Sequence, residues 1–153
     1  MPDLREELRQ KRPFATPSHE AHLSILRTAA VLQDWMERVL RPYGITVAQY
    51  NVLRILRGTP EGLCRNDVRD RLLTRMPDVT RLLDRMEEAD LVWRARGTED
   101  RRFVTTRLTA EGRRLVDELD PVLEAEHARI LGDLTDDEHR TLTALLRRIR
   151  DAV

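Results

Sequence analysis

The chain has 153 residues with a single cysteine, a single lysine (Lys11) among 27 basic residues, six glycines and aromatics at only 4%. One cysteine, Cys64, excludes an internal disulfide framework and predicts a reducing compartment, the cytoplasm. No apolar run approaches the roughly 18 residues that span a membrane. The N-terminal MPDLREELRQKR is charged and lacks the apolar stretch of a secretory signal. With so few glycines there is no phosphate-cradling loop, and no Ser/His/Asp constellation stands in a shaped context, so neither an enzyme nor a cofactor is predicted. Formal net charge is zero, which argues against a polyanion binder that works by bulk basicity.

What the chain does have is a 41% hydrophobic share, enough for a core, and a segregated charge. Leu91 to Arg107 carries five arginines (94, 96, 101, 102 and 107) against Glu99 and Asp100, a net of +3. Thr109 to His139 carries ten acids and three arginines, a net of −7. Arginine supplies a flat bidentate fork suited to phosphate and to guanine edges.

Apolar spacing predicts a mainly helical chain. Asp3 to Arg12 reads as a short charged helix closed by Pro13. Thr16-Pro17 gives a cap and a first-position proline to a helix reaching about Arg41, with Ile25, Ala29, Leu32, Met36 and Val39 in one stripe. Thr46-Val-Ala-Gln49 is a capping box opening a helix to about Arg57, with Val52, Leu53, Ile55 and Leu56 inward. Leu63 to Leu72 predicts a short helix with Val68 and Leu72 inward. Met76 to Asp90, with Pro77 in its first turn, predicts another whose inner face is Val79, Leu82, Leu83 and Met86. Leu91–Arg96 and Phe103–Leu108 are β-rich, joined by a turn at Gly97 to Arg102. Helix resumes after Thr109, where Pro121 should kink or interrupt it. A second capping box, Thr135 to Glu138, opens a last helix with Leu142, Leu145, Leu146 and Ile149 in a stripe.

Two helices in tight succession followed by a two- to three-stranded ribbon with arginines at its tip form the layout of a winged helix-turn-helix. The second helix of such a pair offers its N-terminal outer face to the major groove, here Arg75, Asp78, Thr80, Arg81 and Arg85. The ribbon's Arg96, Thr98, Asp100, Arg101 and Arg102 suit a narrow minor groove of enhanced negative potential, with Asp100 placed to orient an arginine. The other reading of each set is a solvated outer face and a polar hairpin.

The segments Val79-Thr-Arg-Leu-Leu-Asp-Arg-Met86, Leu91-Val92, Asp100-Arg-Arg102 and Leu108-Thr-Ala-Glu-Gly112 together resemble the MarR family of bacterial transcriptional regulators. The resemblance covers the chain from about residue 18. It implies a homodimer paired through N- and C-terminal helices. One recognition helix and one wing per protomer would sit on a pseudopalindromic double-stranded DNA. It further implies repression relieved by a small aromatic or lipophilic effector bound between the dimer helices and the DNA-binding lobe. The division it predicts is 1–45 (extension and first dimerisation helix), 46–108 (winged helix-turn-helix) and 109–153 (C-terminal dimerisation helices). Thr74 to Asp78 replaces the family's usual serine-rich opening, Thr106 replaces an apolar β-branched residue, and residues 1–15 lie outside the common core.

His22, Trp35, Tyr43 and Tyr50 are candidates for the effector pocket, with ordinary core packing as the other reading of the aromatics. Cys64, next to Arg65, admits a redox-responsive regulator as an alternative. His19 and His22 are spaced as half a zinc site, but no further ligands stand at recognisable spacing, so no metal is predicted. The rival from another class is a winged-helix module that docks protein partners and does not bind DNA.

Overall fold

The structure, a computed structural model, describes residues 3–96 and 104–153. The turn residues Thr98, Asp100, Arg101 and Arg102 therefore lie outside the described residues, as does the side chain of Arg96. Helix α1 (Leu4–Glu7) is shorter than the charged segment suggested, because Arg9 takes a left-handed conformation (φ 51°) directly after it. Glu7 holds α1 to the next helix through Arg27 at 2.9 Å. Helix α2 (Pro17–Leu40) starts as expected, with Thr16 Oγ1 accepting from the His19 amide and Pro17 in first position. Its 24 residues make a rod of about 36 Å. A 3₁₀ turn (Arg41–Tyr43) and Gly44, at φ 70°, end it.

Helix α3 (Val47–Arg57) opens on the Thr46–Gln49 capping box and is the centre of the molecule, with Val52, Leu53, Ile55 and Leu56 all buried. Around it pack Leu40, Val68, Leu83, Met86, Val92, Val116 and Leu119 in one continuous core. Helix α6 (Ala110–Leu131) reaches that core through Leu115, Val116, Leu119 and Leu123.

The expected helix Leu63–Leu72 is two elements. Leu63 and Cys64 form a short strand, β1 (Leu63–Cys64), and helix α4 (Arg65–Arg71) begins after it. β1 pairs antiparallel with β3 (Val104–Leu108), Leu63 opposite Thr106 and Cys64 opposite Thr105. A free sheet edge offered the Leu63 backbone a ladder, and two residues are too few to show alternation in sequence. Val68 is buried as expected and Leu72 packs partly against the core. β3 pairs on its other side with β2 (Val92–Arg96), giving the sheet order β1-β3-β2. Thr106 is 1% exposed on the inner face, where its valine-like shape fits an apolar site.

The following helix is also shorter than expected: α5 (Val79–Glu88) rather than Met76–Asp90. Pro77 lies outside it, because Asp78 takes the cap position and accepts from the Arg81 amide at 2.9 Å. The inner face Val79, Leu82, Leu83 and Met86 is buried as the spacing predicts. Pro121 does not interrupt α6, which runs unbroken past it, with Pro121 itself exposed.

A clamp joins the sheet to α6. Thr109 caps α6 by accepting from the Gly112 amide, and its hydroxyl donates to the Asp90 carbonyl. The Thr109 amide donates to the Leu91 carbonyl at 3.2 Å. Gly112 lets that carbonyl approach so closely that a Cβ there would sit 2.0 Å from the Leu91 oxygen. The last helix, α7 (Asp136–Arg150), opens on its expected capping box but has no buried residue, and Leu142, Leu145 and Ile149 are exposed. Among the described residues no helix is long and apolar enough to cross a membrane.

Replacing Gly112 with alanine is expected to cost about 3 kcal/mol, the upper end of the roughly 1–3 typical of overpacking, since the clashing atom is backbone. Urea unfolding measures it: the midpoint should fall with an unchanged slope. An unaltered midpoint would contradict the close approach.

Candidate nucleic-acid interface

The outer face of α5 follows from its inner face. With 79, 82, 83 and 86 inward, Thr80, Arg81 and Arg85 are exposed, and Arg75 is exposed in the turn before the helix. Among the described residues none of Arg75, Arg81 and Arg85 has a carboxylate partner within ion-pair distance. Arg69, Arg94 and Arg57 do. The Asp78 carboxylate is engaged in its cap, so its first role is to begin the helix rather than to face a base. One contact was not visible in the sequence. Arg65, first residue of α4, donates from Nη1 to Thr80 Oγ1 at 3.2 Å, across a separation of fifteen residues that no local pattern could signal.

The basic run at 94–107 divides by role. Arg94 reaches back to α5, donating to Glu87 through Nε at 2.9 Å and Nη2 at 2.5 Å, with Asp84 at 2.7 Å. Glu87 also accepts from the Arg94 amide at 3.0 Å, so one carboxylate ties both backbone and side chain of β2 to the helix. Arg107 donates to the Glu61 carbonyl at 2.8 Å and lies 5.6 Å from the centre of the Trp93 ring. Gly62, at φ 88°, makes room for it, because a Cβ there would come within 2.6 Å of the Arg107 side chain. Arg94 and Arg107 thus build the sheet, which leaves Arg96, Arg101 and Arg102 as the ribbon's remaining cations.

On the opposite side of the lobe, Arg57 of α3 forks between Asp117 and Asp120, one turn apart on α6. The four candidates for an effector pocket are not brought together. Trp35 and Tyr43 line an open hollow of about 420 Å³ with Arg38, Val39, Pro42, Val122, Glu126 and Arg129. His22 is exposed elsewhere on α2. Tyr50 is half-buried on α3, where burial first and Asp120 second raise its phenol pKa. Trp35 is buried as a core residue would be, yet its indole donates to Glu126 at 2.9 Å. Arg129, and then that indole, hold the Glu126 carboxyl below its ordinary value. His19 packs edge-on against Phe14 at 5.9 Å. Cys64 is half-buried on β1.

A helix-turn-helix carried by α4 and α5, followed directly by a small antiparallel sheet, defines a winged helix-turn-helix, a class of DNA-binding proteins. A sequence profile of the MarR family matches residues 43–102. The chain is similar to a crystal structure of a MarR transcription factor from Planctomyces limnophilus, at 34% identity and a TM-score of 0.67, covering 88% of this chain and 98% of that one. The chain belongs to the MarR family of transcriptional regulators. It is also 28% identical over 125 residues to an HTH-type transcriptional repressor of Mycobacterium tuberculosis, covering 82% of this chain and 89% of that protein. A further similar structure is CouR of Rhodococcus jostii bound to p-coumaroyl-CoA, at 26% identity and a TM-score of 0.76, covering 89% of this chain and 95% of that one.

The Arg94 hydrogen bond, the largest influence on Glu87, holds its carboxyl below the ordinary value. A carboxyl lowered on folding contributes stability that is present above its unfolded pKa and lost as pH falls through the folded one. Between about pH 5 and pH 3 the wild-type urea midpoint should therefore fall more than that of Glu87→Gln, and the two should converge. Parallel pH curves would show that the pair contributes nothing.

Proposed function

We propose that this protein is a homodimeric repressor that binds a pseudopalindromic operator and is released by a small aromatic or lipophilic effector. The observation that carries the reading is the exposed outer face of α5, with Thr80, Arg81 and Arg85 clear of carboxylate partners among the described residues, beside a ribbon whose tip sequence is Asp100-Arg101-Arg102. Arg75, Arg81 and Arg85 act in the major groove and Thr80 at the phosphates that border it, with Asp78 starting the helix. Arg96, Thr98, Arg101 and Arg102 act on the backbone and minor groove, with Asp100 orienting an arginine. The exposed stripe on α7 (Leu142, Leu145, Ile149), together with the exposed Leu26 and Val31 of α2, supports pairing with a second copy, since apolar surface of this kind is what partners cover. In that dimer 1–45 and 109–153 pair the protomers and 46–108 carries the DNA contacts.

The hollow lined by Trp35 and Tyr43 supports the effector reading, because it joins apolar walls to Arg38 and to the Arg129–Glu126 pair, between residues of α2 and α6. The similarity to CouR, which binds p-coumaroyl-CoA, favours an aromatic acid or its thioester as the class to test. The similarity to a mycobacterial repressor favours repression over activation.

A gel-shift series with DNA upstream of the protein's own gene should give tight binding that weakens steeply with salt. Arg81→Ala should cost about 1–3 kcal/mol of operator binding and relax base preference at one position per half-site. Arg102→Ala should weaken binding several-fold with fold and mass unchanged. Binding that ignores salt and both substitutions would favour the protein-docking alternative instead. Light scattering should report twice the 17.9 kDa chain mass. A monomer would remove the paired-half-site geometry, whose spacing is about 34–36 Å.

A further inference from the structure

We propose that Arg65 is a positioning residue for DNA recognition: it holds the Thr80 hydroxyl so that the two side chains grip one backbone phosphate between the two helices of the helix-turn-helix. The inference rests on the DNA-binding reading above and adds a residue and a role to it. Thr80 is the second residue of α5, on its exposed face, and accepts from Arg65 Nη1 at 3.2 Å. A threonine hydroxyl that accepts this bond keeps its own proton to donate. Thr80 stands in the first turn of α5, with no helical turn before it for its hydroxyl to bond back to, and the bond from Arg65 holds that hydroxyl toward α4.

The arginine's charge is the second observation. Arg27, Arg57, Arg69, Arg94, Arg114, Arg129 and Arg140 each lie against a carboxylate, whereas the exposed Arg65, like Arg75, Arg81 and Arg85 near it in the two-helix unit, has none among the described residues. Its only hydrogen-bond partner among the described residues is a neutral hydroxyl, so most of the guanidinium fork remains for an anion. The bond is exposed to solvent, and a cation held beside a hydroxyl donor forms a two-point cradle for a phosphate oxygen. Arg65 opens α4 directly after β1 and Thr80 lies in the first turn of α5, so the pair bridges the two helices of the unit, the first of which crosses the DNA backbone in this class of fold.

Because a phosphate contact does not depend on sequence, the test needs no operator. Fluorescence anisotropy would follow binding to a mixed-sequence duplex of about 30 base pairs across about 50–200 mM salt. Arg65→Ala should weaken binding about tenfold and reduce the log–log salt slope by about one. Thr80→Ala should weaken binding several-fold, and Thr80→Ser should restore it. In the double variant the loss should be smaller than the product of the single losses, since the two act as a unit. Arg65→Lys should keep the slope, because the charge remains, and still lose the coupling to Thr80. Thermal melts should match wild type for all variants, which separates a binding role from a structural one. An unchanged slope in Arg65→Ala, or single losses that simply multiply, overturns the clamp while leaving the DNA-binding reading intact. A wild-type protein that leaves every duplex unbound overturns both.

Discussion

The arrangement depends on the approach of the Leu91 carbonyl to Gly112. Leu91 ends the turn after α5 and leads into the sheet; Gly112 lies in the first turn of the long helix that reaches away from it. Thr109 completes the contact by donating to Asp90 and capping the helix at once. The Leu-Thr-x-x-Gly run that marks the family in sequence is therefore a joint. It sets the angle between the lobe that carries α5 and the helix that leads to α7. The Arg57 fork to Asp117 and Asp120 braces the same two parts from the other side of α3.

Charge in this protein is spent on architecture as much as on display. The zero net charge of the sequence conceals three kinds of arginine. Arg57, Arg94 and Arg107 are tied to carboxylates, a carbonyl and a ring, and hold elements together. Arg114, Arg129 and Arg140 make exposed pairs within their own helices, which contribute little. Arg65, Arg75, Arg81 and Arg85 lie on the side of α4 and α5 that presents the helix-turn-helix, without carboxylate partners among the described residues. Zero net charge is thus compatible with the proposed DNA surface, because local arrangement rather than total charge determines the field a phosphate meets.

Much of the architecture is legible in the sequence where periodicity is long. The inner faces of α3 and α5, both Thr-led capping boxes and the two strands on either side of residues 97–103 are each written in the sequence, and each stands where it predicts. The boundaries that shifted lack such repetition. Leu63 and Cys64 read as helix because a two-residue strand carries no alternation, and only the edge of β3 makes it a strand. Pro77 reads as a first-turn residue until Asp78, one step later, is seen to supply the cap. Pro121 reads as a break, yet α6 continues because packing of Leu115, Leu119 and Leu123 on one side holds it.

By itself the sequence determined the fold class, the family and the identity of the outer face of α5, because a stripe of apolar residues defines its opposite. The tertiary structure decided which arginines are committed. Arg94 meeting Glu87, Arg107 meeting Glu61 and Arg65 meeting Thr80 join residues separated by 7, 46 and 15 positions. It also separated the four aromatic and histidine candidates, leaving Trp35 and Tyr43 on one hollow and His22 and Tyr50 away from it. The physical reason is the same in each case. Helical and strand periods are short-range rules, whereas ion pairs, stacking and cavities depend on where distant segments meet, and that is set by burial of the shared core.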